Sequence, residues 1–434
     1  MRDVTAKCLE YLRSINMAAD HRMERLHKDA RFDAWHRAAY ENKEFLVYDD
    51  YITQANACCE KPVQALSLKE TRSRITYILR TTRGSDTYLD EPIRDGSLCA
   101  LLERYLALTA TERESIASGI FGMAIADAVG VPAEFMSRKE LRAHPVTDMV
   151  GGGAHQQVAG TWSDDSSMAL CLAFSIAQQK GIDADDIMKR FCDWYKNGAY
   201  SPHGMCFDIG MTVTKALSRY TQGIPAQECG GAGGQDNGNG SLMRVLPLIY
   251  CLLARYGSRF GEQDEAMRCI DLVSSLTHRH LISRVACGIY LNIAARLLLG
   301  DAIPDAVQRG VDTALDWYAS HEGYDDGLDC WARIRDVTAF KPLPEDEIRS
   351  GGYVVDTLEA SLWCLLNTDN YRDCVLKAVN LGSDTDTVAA VVGGLAGIHY
   401  GLSGIPSDWL DGIESKKLLN DCCDSLVVFC NSHK

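Results

Sequence analysis

Three features of this sequence predict an all-α fold. Apolar residues in its long segments recur at helical spacing, prolines number only 11 in 434 residues, and no segment shows the apolar–polar alternation of a strand ladder. Taken in order, the first 110 residues read as helical over about 5–30 and 95–108 and as less regular between about 45 and 95. A boundary is expected near Thr109 to Arg113, where Thr111 followed by Glu114 has the spacing of a capping box that opens a new helix. Ala124, Ala128 and Gly130 are small enough to let helices approach closely. Ser163 then opens a helix on which Met168, Leu172 and Ile176 share a face. Residues 228–241 contain six glycines and must be loop, and Gly238 to Arg244 is expected to lead from that loop into a helical segment. From Ser283, Val285, Ala286, Ile289, Tyr290, Ile293, Ala294, Leu297 and Leu298 trace one helical stripe, stopped at Gly300. From Thr387, Val388, Val391, Val392, Leu395, Ala396 and His399 do the same, stopped at Gly401. The expected architecture is a multi-helix globular domain over 111–434 preceded by a mostly helical N-terminal extension over 1–110.

Charge and cysteine usage exclude several functions. Lys+Arg total 44 against 59 Asp+Glu, a net charge of -15, which argues against nucleic acid or an anionic membrane as partner. Residues 1–110 hold 17 of each sign, so the rest of the chain carries the whole excess. The 17 cysteines are scattered, with no CxxC pair, a pattern of reduced thiols in the cytoplasm rather than of a disulfide framework or a zinc finger. The N-terminus is charged throughout, so no signal peptide is expected. No apolar run reaches the length of a membrane span.

Chemistry concentrates at two helix starts. Thr161-Trp162-Ser163-Asp164-Asp165 and Gly382-Ser383-Asp384-Thr385-Asp386-Thr387 each place carboxylates and a hydroxyl at the head of an apolar helix. Each motif alone reads as an ordinary helix cap. Together they supply four carboxylates that would repel one another if brought together, and a pair of oxygen-loving cations would make the arrangement favourable. Gly238-Asn239-Gly240-Ser241 offers bare backbone amides of the kind that cradle phosphate, with a plain surface loop as the alternative. Asp127 and Glu134 are acids in an otherwise apolar segment. Asp127 is open to a capping role and Glu134 to that of a solvated loop acid. His278 precedes the long helix from Ser283.

In this order, GMAIADAVGVPAEF, GTWSDDSSMAL, FDIG at Phe207 to Gly210, GNGSLMR, LTH, GYVVDTLEASLW and NLGSDTDTVAAVVGGLAGIHYG resemble the ADP-ribosylglycohydrolase family, over residues 115–412. The resemblance implies an all-helical fold that holds two Mg²⁺ ions, with Mn²⁺ as the alternative. It implies metal ligation by Ser163, Asp164 and Asp165 and by Asp384, Asp386 and Thr387. Gly238, Asn239, Gly240 and Ser241 would face the phosphates and ribose of ADP-ribose, and His278 would lie along the same cleft. Asp165 and Glu134 are the implied catalytic carboxylates, one of them taking the proton of the attacking water. Ser163 stands where many members carry Thr, which keeps the hydroxyl. Ala126 stands where a glycine is usual before Asp127, a matter of packing only, and Ser383 stands where a second glycine is usual, so the turn before Asp384 is expected to differ.

The implied activity is removal of ADP-ribose from protein side chains, arginine above all, in the cytoplasm. The implied partners are an ADP-ribosylated protein and, for some bacterial members, a cognate ADP-ribosyltransferase toxin. Two other classes stay open at this point. One is a binding protein that recognises modified proteins, or blocks a transferase through its extension, without turnover. The other is a dinuclear phosphohydrolase acting on ADP-ribose itself, whose usual His-rich ligand set this sequence lacks.

Overall fold

The computed structural model describes residues 2–14, 30–41, 51–81, 92–93 and 95–433. Among these residues the regular structure is helical, and pairing between extended segments is limited to three isolated bridges: Gly152 with Gln157, Gly231 with His278 and Gly238 with Tyr353. The chain divides into two compact units, Met1–Arg113 with Asn431–Lys434, and Glu114–Cys430.

The smaller unit contains helices Arg2–Ser14, Ala30–Glu41, Tyr51–Ala57 and Leu68–Thr81. Cys8, Leu12, Phe32, Trp35, Ile75, Leu79, Leu98 and Leu101 are buried in its own core. The stretch read as irregular between 45 and 95 therefore holds two helices. A legible signal was missed there. Ser67 accepts from the Glu70 amide while Glu70 accepts from the Ser67 amide, a capping box written as Ser-Leu-Lys-Glu. Residues 15–29, within the helix expected over 5–30, lie outside the described residues.

The expected helix start at Thr111 is corrected. Ser97–Gly130 is one continuous helix of 34 residues through that point. No glycine or proline interrupts it there, and Thr109 turns its hydroxyl back to the Tyr105 carbonyl at 2.8 Å instead of starting a new segment.

In the larger unit the helices Leu281–Leu298, Val354–Leu366 and Thr385–Tyr400 form the centre. The 281–298 helix packs on Ile303–Ala319, and the 385–400 helix packs on both 354–366 and Tyr371–Val379. The 385–400 helix is buried around nearly its whole circumference, glycines and alanines included, with His399 outside at its exposed end. Its partner is the C-terminal half of the 97–130 helix. A Cβ on Gly122 would sit 2.5 Å from the Gly393 carbonyl, and one on Gly397 would sit 2.2 Å from the Ser118 carbonyl. The close-approach stripe against this helix is thus Ser118, Gly122, Ala126 and Gly130, four residues apart, and Ala124 and Ala128 are buried as well. At its end Gly130 lies against Asp386, where a Cβ would come within 2.4 Å of the Asp386 Cα.

Two helices, Ser97–Ala133 and Leu281–Leu298, are long and apolar enough to cross a membrane, but their most apolar windows are 100% and 72% buried inside the fold. Their apolar surface is consumed by core packing. The described residues form no disulfide.

Candidate active site

The site begins with Asp127, fully buried near the end of the 97–130 helix. One of its oxygens accepts from the Ser163 amide at 2.9 Å. The other accepts from the Ser166 amide at 3.1 Å and the Ser166 hydroxyl at 2.6 Å. A carboxylate from a neighbouring helix thus satisfies the first amides of the Asp164–Gln179 helix. The capping role open to Asp127 from the sequence is the one it adopts, for the neighbouring helix rather than its own. Ser163 is the N-cap: its hydroxyl accepts from the Asp165 amide and donates to Asp165 Oδ2 at 3.1 Å. Asp164 and Asp165 are thereby left free of capping duty, and both are buried.

The second motif arrives from across the fold. Thr387 donates its hydroxyl to Asp165 Oδ2 at 3.3 Å, and its amide donates to Asp386 Oδ1 at 2.8 Å. Asp384 occupies the N-cap position without capping; its Oδ2 accepts from the Asn239 side chain at 2.8 Å. The turn before it runs through Gly382 at φ 78° and Ser383 at φ 71°, so a serine holds a left-handed conformation that glycine adopts without strain. Arg138 pins this turn, donating to the carbonyls of Leu381, Glu345 and Ile348 at 2.6 to 2.8 Å.

Glu134 comes third, just after the 97–130 helix. Its Oε2 lies 2.5 Å from His155 Nε2, and the same nitrogen lies 3.5 Å from Asp208 Oδ1. The ligand atoms of Glu134, His155 and Asp208 all lie within 4.8 Å of one another. His155 and Asp208 were not singled out from the sequence. Asp208 lay within the FDIG marker, and its side chain carries the only charge in that stretch. Nothing local marked His155, which a loop of three glycines delivers to the site.

Seven carboxyl groups, from Asp127, Glu134, Asp164, Asp165, Asp208, Asp384 and Asp386, perturb one another here. Burial raises all of them. Asp127 is pushed up to about 7, with the hydrogen bonds from Ser166 and Ser163 opposing the rise. Glu134 is pushed up to about 9 by burial and then by the Asp208 and Asp384 charges. Asp164, Asp165 and Asp386 are raised well above the usual carboxylate range by burial and by neighbouring carboxylates. Asp208 and Asp384 move the same way. Asp165 Oδ1 and Asp386 Oδ2 are buried with no hydrogen-bond donor. Orphaned carboxylate oxygens in a like-charged cluster fit a hard divalent cation, which accepts oxygen ligands and supplies the missing positive charge.

The glycine turn differs from expectation. Gly240 to Arg244 form turns, and the next helix begins only at Leu248, so no helix N-terminus presents amides there. Buried Arg244 sits at these turns. Its guanidinium donates to the Gly240 carbonyl and, at 3.3 Å, to the Val273 carbonyl, while stacking 5.0 Å over Phe191. Gly238 and Asn239 remain partly exposed, the Asn239 amide donating to the Gly352 carbonyl at 3.1 Å. Gly240, Ser241 and His278 are buried beneath them. Ser241 accepts from Ser274 at 2.9 Å, and a Cβ on Gly240 would meet the His278 ring at 2.7 Å. Burial, reinforced by the Arg244 charge, holds His278 down at about 3, so its ring is neutral.

Residues 108–433 match the model of the family described as ADP-ribosylglycohydrolase. The chain belongs to the ADP-ribosylglycohydrolase family. ADP-ribosylarginine hydrolase Tri1 of Serratia proteamaculans (strain 568) is 34% identical over 309 residues, covering 71% of this chain and 77% of that protein. The ADP-ribosyl-(dinitrogen reductase) glycohydrolase of Rhodospirillum rubrum is 29% identical over 304 residues, 68% of this chain and 88% of that one. A solved structure described as an ADP-ribosylglycohydrolase-related protein complex is 29% identical, covers 74% of this chain and 99% of its own, and superposes with a TM-score of 0.59. Within this ADP-ribosylglycohydrolase, the two helix-start motifs and Glu134 come together, Asn239 joins them through Asp384, and Ser241 and His278 support the turn from below.

Proposed function

We propose that the chain is a divalent-cation-dependent hydrolase that removes ADP-ribose from arginine side chains of modified proteins in the cytoplasm. The observation that carries this reading is the joining of two helix starts at Asp165 and Thr387, with buried carboxylate oxygens that no donor satisfies. The arginine relatives support the linkage. Ser163, Asp164 and Asp165 on one side and Asp384, Asp386 and Thr387 on the other would hold the ions, two Mg²⁺ or Mn²⁺. Glu134 and Asp208 lie near enough to join them. When bound, such ions supply positive charge beside the ribose hydroxyls and the attacking water.

The chain's own residues do the rest. Gly238 and Asn239, partly exposed at the rim, take the phosphates and ribose and orient C1″. A carboxylate, Asp165 or Glu134, takes the proton of the water whose oxygen bonds to C1″. The C1″–N bond breaks through a transition state of oxocarbenium character, which the surrounding carboxylates favour electrostatically. The guanidine leaves with the bonding pair and takes up the proton that the carboxylate received from the water, so no dedicated strong acid is required. Incubation with an ADP-ribosylarginine peptide and Mg²⁺ is expected to yield unmodified peptide and intact ADP-ribose by mass spectrometry. Release of AMP and ribose phosphate instead, or no change, would sink this reading.

We further infer that the smaller unit binds a cognate ADP-ribosyltransferase toxin, so that the protein also serves as an immunity protein. The supporting observation is a separate core outside the family match, unused by the chemistry above. A chain beginning at residue 95 is expected to keep hydrolysis and lose capture of the transferase. Capture undiminished in the shortened chain would refute it.

A further inference from the structure

Phe135 is 68% exposed, and its backbone sits at φ 69°. A bulky residue in the left-handed region is strained, and such outliers persist only where the surroundings impose them. Here the Phe135 amide donates to the Ser383 carbonyl at 2.8 Å and the Ser383 amide donates to the Met136 carbonyl at 2.8 Å. The fold thereby holds an aromatic ring in water directly after buried Glu134. The His155 ring lies 5.9 Å from Phe135, and the Phe207 ring lies 5.3 Å from His155. A chain of three rings therefore runs from Phe135 through His155 to Phe207, and His155 approaches the carboxylates of both Glu134 and Asp208.

Further exposed apolar residues stand close by in the sequence. Val158 follows His155 and is 58% exposed; Met205 and Met211 flank Asp208 in sequence and are 64% and 75% exposed. This combination selects a planar cation on an alkyl stem. A guanidinium stacks on an aromatic face while carboxylates receive its N–H groups, and methionine adapts to the chain around it.

We propose that Phe135 recognises the leaving side chain, its ring stacking on the guanidinium of the modified arginine. This assignment deepens the arginine-hydrolase reading and rests on it. The test compares wild type, Phe135→Tyr, Phe135→Leu and Phe135→Gly for cleavage of an ADP-ribosylarginine peptide, for inhibition by free ADP-ribose and for thermal unfolding. Phe135→Leu and Phe135→Gly are expected to lower kcat/KM by about tenfold, mainly through KM, with Phe135→Tyr staying within about threefold of wild type. Inhibition by ADP-ribose, which lacks the guanidinium, should be unchanged throughout. Phe135→Gly should unfold no earlier than wild type, because glycine tolerates this backbone, so lost recognition is separated from lost folding. If wild type fails to cleave the peptide, the arginine reading falls and this assignment with it. If wild type cleaves it while Phe135→Leu and Phe135→Gly stay within about twofold, or if they lose ADP-ribose inhibition in parallel, Phe135 has no such role and the arginine reading stands.

Discussion

Asp386→Ala is expected to lower turnover of ADP-ribosylarginine by about three orders of magnitude or more, the loss that follows when a group that organises several kcal/mol of transition-state charge stabilisation is removed. The folded state should survive the change. Asp386 Oδ1 accepts one amide bond, from Thr387, worth about 1 kcal/mol, while its Oδ2 is buried with no donor. Removing a carboxyl raised by burial and by the Asp165, Glu134, Asp384 and Asp208 charges also relieves repulsion. In the absence of divalent ions, the variant should therefore unfold at or above the wild-type temperature. Asp183→Ala is the control. Asp183 caps the Ala184–Asn197 helix by accepting from the Asp186 amide at 2.9 Å. Its loss should cost about 1 kcal/mol of stability and leave turnover alone. Released ADP-ribose and thermal melts of both variants check the pair; an Asp386→Ala rate within tenfold of wild type, a margin of about 1.4 kcal/mol, would remove Asp386 from the chemistry.

Chelation should make stability fall with rising pH. Asp127 and Glu134 are raised in the folded chain from 3.8 and 4.5 to about 7 and about 9. The native state then holds more protons than the unfolded chain between those limits. Its stability is full below the ordinary carboxylate value and is lost as pH climbs through about 7 and about 9. With EDTA present, the melting temperature should drop by on the order of 5 °C between pH 5 and pH 8. Added Mg²⁺ should abolish the drop, because a cation binding the ionised cluster stabilises the fold by mass action. Equal pH profiles with EDTA and with Mg²⁺, read by calorimetry, would show that the carboxylates find their counter-charge elsewhere.

Much of this was readable before any geometry. The apolar stripes beginning near Ser283 and Thr387 became the helices 281–298 and 385–400, because helical period and glycine stops are local properties of the chain. Ser163, Asp164, Asp165, Asp384, Asp386 and Thr387 were legible as a set because acids and hydroxyls clustered at helix starts are written consecutively. The family resemblance then placed the two groups in one site. Local reading failed at Thr111, where the spacing of a capping box lies inside a continuous helix. Capping needs a chain that has already left the helical path, and nothing at Thr111 forces it to do so. It failed again at Gly238 to Arg244, where the chain runs through turns and the buried Arg244 guanidinium takes the Gly240 carbonyl.

The sequence on its own settled the helical class and the positions of the acidic helix starts, since each depends on residues within a few positions of one another. Tertiary packing settled which groups meet. Gly122 and Gly130 let the 97–130 helix approach the 385–400 helix closely enough to set Asp127 and Glu134 beside Asp165 and Asp386. His155 and Asp208 reach Glu134 from separate loops, and Phe135 is held out in water by a carbonyl some 250 residues further along the chain. Contacts between distant segments are selected by shape and by satisfaction of buried polar groups, and those are properties of the assembled core rather than of any stretch of sequence.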